Sequence, residues 1–256
     1  MTYVAAGLVY VALADVPLRI RDASLVQLAA SFMSKIIPSG IGATGLNARY
    51  LTKSGLDGAD ASALIVGQNL IGFVMFIVPL ALFMLINGQS VGELFHVHIY
   101  SKVVILAVSL VALLVAALLF NVKLREKFKT FAINFITSTR DLTTSTRELI
   151  MASGASFMIT IFYISCLYTA IHALGAHITL GGAIIIYATA VIAKTALPTP
   201  GGLGPVEVAM SASLVAAGIP AGQAFAIVIL YRLATFWIPI PFSIVAYKQI
   251  TSKRVV

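Results

Sequence analysis

A stretch that cannot form continuous helix lies inside sequence that belongs in lipid. From Lys194 to Met210 the chain reads KTALPTPGGLGPVEVAM, with three prolines and three glycines between Pro198 and Pro205. Proline has no N–H and clashes with the preceding turn, and glycine weakens any helix that contains it. Both flanks are apolar enough for membrane depth. Broken backbone is tolerated at that depth only where protein or a water-filled cavity satisfies its polar groups, so this stretch is a candidate site.

Composition settles the class. Hydrophobic residues make up 60% and charged residues 10% of 256 positions, too apolar for a soluble domain of this length. The expected class is an all-α polytopic membrane protein. Its net charge of +8 fits cytoplasmic loops facing anionic lipid, and nucleic acid is not expected as a partner. Met1 to Ala14 has neither a charged start nor a small-residue cleavage signal, which argues against a cleaved signal peptide. Cys166 is the only cysteine, excluding an intrachain disulfide and a multi-cysteine metal site. His96 and His98 alternate in a loop with only Glu93 near them, a poor metal set. No phosphate-binding Walker loop, nucleophile elbow or serine–histidine–acid set is present. The expectation is a non-enzyme with no metal and no cofactor.

In chain order, a short apolar stretch ends at the charged break Asp15–Asp22, and an apolar arm runs from about Ser24 to Ile37. It stops at Pro38-Ser39-Gly40-Ile41-Gly42, and a second arm, Ala43 to Lys53, carries Asn47, Arg49 and Tyr50. Each arm has about 11 to 14 residues against roughly 20 for a crossing, so a re-entrant hairpin fits better than two spans. Spans are expected over 61–86, with a kink at Pro79, and over 99–120 and 150–174. Between the last two, residues 121–149 form a basic connection with interleaved phenylalanines, either an amphipathic surface helix or a solvated linker. A second broken hairpin covers Gly181–Leu197 and Pro205–Ala217, and the final span covers 221–247, followed by Lys248, Lys253 and Arg254.

Lys and Arg collect on the cytoplasmic side, which places the 121–149 connection and the C-terminus there. Counting back, the second hairpin opens from outside, the first from the cytoplasm, and Met1 lies outside, leaving room for one more span in longer relatives. Setting Gly40-Ile41-Gly42 beside Gly202-Leu203-Gly204 pairs Pro38 with Pro200 and Pro79 with Pro241. A one-residue gap then pairs Gly55-Leu56-Asp57 with Gly218-Ile219-Pro220, and Asn69 with Arg232. The expected architecture is one membrane domain over 1–256, with half one at about 19–120 and half two at about 150–247. It has about five spanning helices and two re-entrant hairpins arranged as inverted repeats, a secondary-transporter pattern with substrate between the halves.

The strings LPTPGGLGPVE at Leu197–Glu207, AGIP at Ala217–Pro220, LYRL at Leu230–Leu233 and the earlier IPSGIG with Asn47 and Arg49 carry a resemblance. The chain resembles, over nearly its whole length, the transmembrane, flippase-like region of the lysylphosphatidylglycerol synthase family. In fused members of that family a soluble domain transfers an amino acid from aminoacyl-tRNA to phosphatidylglycerol, and the membrane part moves the product between leaflets. No soluble domain follows Lys248 here, so the resemblance implies lipid handling or translocation rather than synthesis.

Ionisable groups at membrane depth tend to face a cavity or a partner. Lys35, Arg49, Lys194 and Arg232 qualify, and Glu207 is the acid in their company. The candidate substrate-binding set is these five with Pro38, Gly40, Gly42 and Asn47 of the first hairpin and Pro198, Pro200, Gly201, Gly202 and Gly204 of the second. At Gly201–Glu207 a helix restarts with glycine N–H groups suited to a phosphate. Arg232 offers a bidentate fork and Lys194 a compact charge. Glu207 could pair with Arg232 or Arg49, meet the amino group of an aminoacylated head group, or simply cap its helix. Lys35 and Lys194 are also placed to snorkel.

The function this supports is a flippase-like transporter in the cell membrane. Its partners would be anionic or aminoacylated phospholipids, with a homo-oligomer left open. The alternative is a membrane anchor or regulatory partner of a separately encoded lipid-modifying or glycosyl-transferring enzyme.

Overall fold

The computed structural model describes residues 1–37, 40–87, 145–252 and 255–256. The expected span 99–120, most of the basic connection, Pro38, His96, His98, Lys253 and Arg254 lie outside the described residues. Within them every regular element is helical: α1 (Thr2–Leu13), α2 (Ile20–Ile36), α3 (Ile41–Lys53), α4 (Gly58–Asn87), α5 (Thr146–Ala173), α6 (Leu180–Ala196) and α7 (Pro205–Ala216). The last helix, α8 (Ala221–Ser252), has 32 residues.

Among the described residues three helices are long and apolar enough to cross a bilayer: α4 over Gly58–Leu80, α5 and α8. The first apolar stretch is a helix of only 12 residues. Large apolar side chains such as Phe73 and Ile77 on α4, Ile150 on α5 and Phe225 and Phe242 on α8 are exposed. In water such a surface would drive association, whereas in a bilayer it is solvated by acyl chains.

Local chemistry sets the ends. Asp57 Oδ1 accepts from the Asp60 N–H at 2.7 Å, Ser145 Oγ from the Arg147 N–H at 3.2 Å, and Thr179 Oγ1 from the Gly182 N–H at 3.2 Å, each satisfying an orphan donor of a first turn. The Ser145 cap starts α5 four residues before the expected span, so residues 146–149 belong to this helix rather than to the connection. Helix α4 continues through Pro79.

In α8, Pro239 and Pro241 remove two donors, and the chain answers by widening its register: Leu233–Trp237 is π-helical, with the Ile238 N–H donating to Leu233 O at 2.9 Å. Phe236 O lies in this widened segment.

Helices α2 and α3 pack as one antiparallel pair, and α6 and α7 as another. Gln27 Nε2 donates to Asn47 Oδ1 at 3.0 Å across the first pair, and the hydroxyls of Thr189 and Ser213 lie 2.8 Å apart across the second. The two pairs end alike. In the first, the Leu56 N–H donates to Leu51 O and the Ser54 N–H to Tyr50 O around Gly55, whose φ is 108°. In the second, the Ile219 N–H donates to Leu214 O and the Ala217 N–H to Ser213 O around Gly218, whose φ is 88°. Each residue in the second set lies 163 positions after its counterpart, the register the glycine pairing predicts. A φ in this range is open to glycine and strained for other residues, which is why the matched turn needs it twice.

Two apolar cores result. The first gathers α1, α2, α3, Ala152 and Ala155 from the start of α5, and Ala246 and Ile250 from the end of α8. The second gathers α6, α7, Leu167 and Ile171 from the end of α5, and Ala224 and Ile227 from the start of α8. Helices α5 and α8 therefore run antiparallel from one core to the other, with a broken hairpin at each end. The hairpins' turns face inward, and α2 touches the 3-10 turn Pro200–Gly202. Gly7 lets α1 lie directly on α2, since a Cβ there would sit 2.8 Å from the backbone nitrogen of Ser24.

Candidate functional site

Between the two cores, where the hairpin turns meet, lies a cavity of about 200 Å³ lined by Lys35, Lys194, Gly201, Arg232, Phe236 and tyrosines 163, 187 and 231. A second chamber of about 460 Å³ adjoins it on the side of the first hairpin. Tyr3, Ser31, Ser34, Tyr163 and Lys194 line both.

Arg232 is buried, with 7% of its surface exposed. Its Nε lies 2.6 Å from Glu207 Oε1. That nitrogen nevertheless lacks a hydrogen bond of good geometry, so the contact is charge on charge rather than an aligned N–H donation. Arg232 Nη2 donates to Gly201 O at 3.1 Å. Glu207 turns its other oxygen to the Gly204 N–H at 2.7 Å. One carboxylate thus caps α7 and neutralises the arginine, two of the roles open to it from sequence. In a charged pair of this kind at depth, the mutual attraction offsets part of the cost of desolvation, and removing one partner would leave the other charge uncompensated.

Three donors of the glycine loop are taken within the loop and the helix that follows it. The Gly202 N–H goes to Thr199 O at 3.0 Å and the Leu203 N–H to Pro200 O at 3.2 Å, and Gly204 is taken by Glu207. What the loop presents to the cavity is its close fit. Gly201 rests on the ring of Phe236, which a Cβ would penetrate, and Gly202 rests on Lys194 and Val206. The ring of Phe236 in turn carries two cations, with Arg232 Cζ at 4.4 Å and Lys35 Nζ at 5.1 Å from its centroid.

Lys35, at the tip of the first hairpin, donates through Nζ to Phe236 O at 2.9 Å. This bond ties the first hairpin to the α8 bulge beside the second. Among the described residues neither Lys35 nor Lys194 has a carboxylate partner, and Arg232–Glu207 is the sole ion pair. Three cations around one ion-paired acid give the cavity a net positive charge, suited to an anion.

The other sequence candidates divide. Gly40 and Asn47 line the second chamber. Gly42 packs against Met33 and Ile37. Pro198 and Pro200 are exposed on the loop. Arg49 is exposed on α3 and lines neither chamber. Sequence reading passed over Tyr3, Ser31, Ser34, Tyr163, Tyr187 and Phe236. A signal for α2 was available: Gln27, Ser31 and Ser34 recur at spacings of four and three, one face of an otherwise apolar arm. The tyrosines carried none, since an aromatic in an apolar run reads as core; Tyr163 and Tyr187 stack at 6.1 Å between centroids with their planes 11° apart.

A helical membrane protein with paired broken helices around a cationic cavity is the class this geometry defines. The chain belongs to the family described as the lysylphosphatidylglycerol synthase TM region, whose pattern it matches over residues 2–243. No match was found among curated proteins or among solved structures.

Proposed function

We propose that this protein moves phospholipid between leaflets, with the lipid phosphate seated among Lys35, Lys194 and Arg232. The observation that carries the reading is the convergence of these cations, from both hairpins and the α8 bulge, on one cavity between two apolar cores. Family membership supports lipid as the substrate. The exposed apolar faces of α4, α5 and α8 would leave the acyl chains in the bilayer while the head group enters the cavity. In this reading the hairpins are re-entrant from opposite faces of the cell membrane, with the basic C-terminus in the cytoplasm. The Lys35–Phe236 bond is then the tie that must open for a head group to pass between them. The lipid is anionic or carries a modified head group, and the chain performs no covalent chemistry on it.

The test is leaflet exchange of a fluorescent phosphatidylglycerol in reconstituted vesicles, followed by dithionite quenching. Lys35→Met and Arg232→Met each should slow exchange about tenfold, the loss of one charge-assisted phosphate contact. Wild-type rates in both variants overturn the site.

A further inference from the structure

The two chambers differ in chemistry, and the difference points to the head group. Among the described residues the larger chamber is walled by four carboxamides, Gln27, Asn47, Gln68 and Asn69, with Tyr10, and the one charged group lining it is Lys194 at the border with the cationic cavity. Tyr10 donates to Gln68 Oε1 at 2.9 Å, and Gln27 donates to Asn47 at 3.0 Å. These bonds hold Gln27, Asn47 and Gln68 in place, yet each uses one of the four hydrogen-bonding positions that a carboxamide has. An array of fixed groups that both donate and accept complements hydroxyls, which do the same.

It does not complement an ammonium, which only donates and needs a countercharge at this depth. No aspartate or glutamate among the described residues lines either chamber. Glu207, the acid at that level, is engaged by Arg232 and Gly204. A cationic head group would also meet Lys35, Lys194 and Arg232 as like charges.

We infer that the site takes a phosphate whose head group is uncharged and rich in hydroxyls, a glycerol or a sugar, and selects against aminoacylated head groups. The phosphate sits in the cationic cavity and the hydroxyls in the amide chamber. This rests on the proposed lipid reading but concerns recognition, so binding tests it separately from transport.

The measurement is competition binding in detergent by the purified full chain, using short-chain phosphatidylglycerol, a polyprenyl-phosphate hexose, lysylphosphatidylglycerol and phosphatidic acid. The first or second should bind about tenfold tighter than the third and fourth, one well-made set of hydrogen bonds. Whichever of the two is tighter names the source. Gln68→Glu keeps the shape and the acceptor for Tyr10 while adding a countercharge, and it should narrow the gap to lysylphosphatidylglycerol about tenfold.

Lysylphosphatidylglycerol or phosphatidic acid matching the tighter of the first two ligands on the wild type overturns the inference. Selective binding without leaflet exchange sinks the transport reading alone. Exchange without selectivity sinks this inference alone.

Discussion

The two hairpins share a backbone plan and differ at their tips. Both close on the same hydrogen-bonded turn around a left-handed glycine, Gly55 in one and Gly218 in the other. At the tips, the second is stitched down by Arg232, Glu207 and the ring of Phe236. The first reaches the rest of the molecule by Lys35 alone among the cations, through one bond to Phe236 O, with Ser31 and Ser243 2.9 Å apart further back. A repeat thus preserves what shapes the arms and frees what faces the cavity. In the proposed transport reading, the second tip is the fixed wall and the first is the part that a head group displaces.

Glycine substitutions probe that contrast most strongly. At Gly201, φ is 60° and a Cβ would enter the Phe236 ring, while at Gly40, φ is 70° and nothing lies within 4 Å. Gly201→Ala should destabilise by about 3 kcal/mol, strain plus overpacking, and Gly40→Ala by about 1 kcal/mol, strain only. Thermal melting of the two purified variants reads the difference; equal losses would mean that both tips are packed alike.

Charge removal comes next in size. Arg232→Met leaves Glu207 at depth with no cation and should lower stability by about 2 kcal/mol. Lys35→Met strands only the Phe236 carbonyl, about 1 kcal/mol. Both are expected to slow exchange under the proposed function, so the ratio of lost stability to lost rate separates wall from gate. A Lys35→Met protein that melts as early as Arg232→Met would remove the distinction.

The hairpins were legible because lipid forbids what their sequences contain: two prolines and three glycines in seven residues from Pro198 to Gly204 admit no continuous helix. Their matched register was legible too, since a left-handed turn selects glycine and so marks Gly55 and Gly218. The cavity was readable where charge betrayed it, at Lys35, Lys194 and Arg232. The role of the glycine loop was not. Sequence offers free N–H groups at Gly201–Gly204, but whether Glu207 and Thr199 consume them depends on side-chain and turn geometry that composition does not encode. The amide chamber was hidden for a different reason. Gln27, Gln68 and Asn69 lie on two helices, and only packing through α1 and α3 brings them to one wall.

The smallest effects distinguish structural from recognising polar groups within the arms. Thr189 and Ser213 join the second hairpin without lining either chamber, whereas Gln27 joins the first and also faces the larger one. Thr189→Val and Gln27→Leu should each lower stability by about 1 kcal/mol, one intramolecular hydrogen bond. Only Gln27→Leu should also weaken phosphatidylglycerol binding, by about threefold, since a hydroxyl loses one amide partner. If Thr189→Val weakens binding to the same degree, the effect travels through hairpin stability, and the amide wall of the first hairpin has no recognition role of its own.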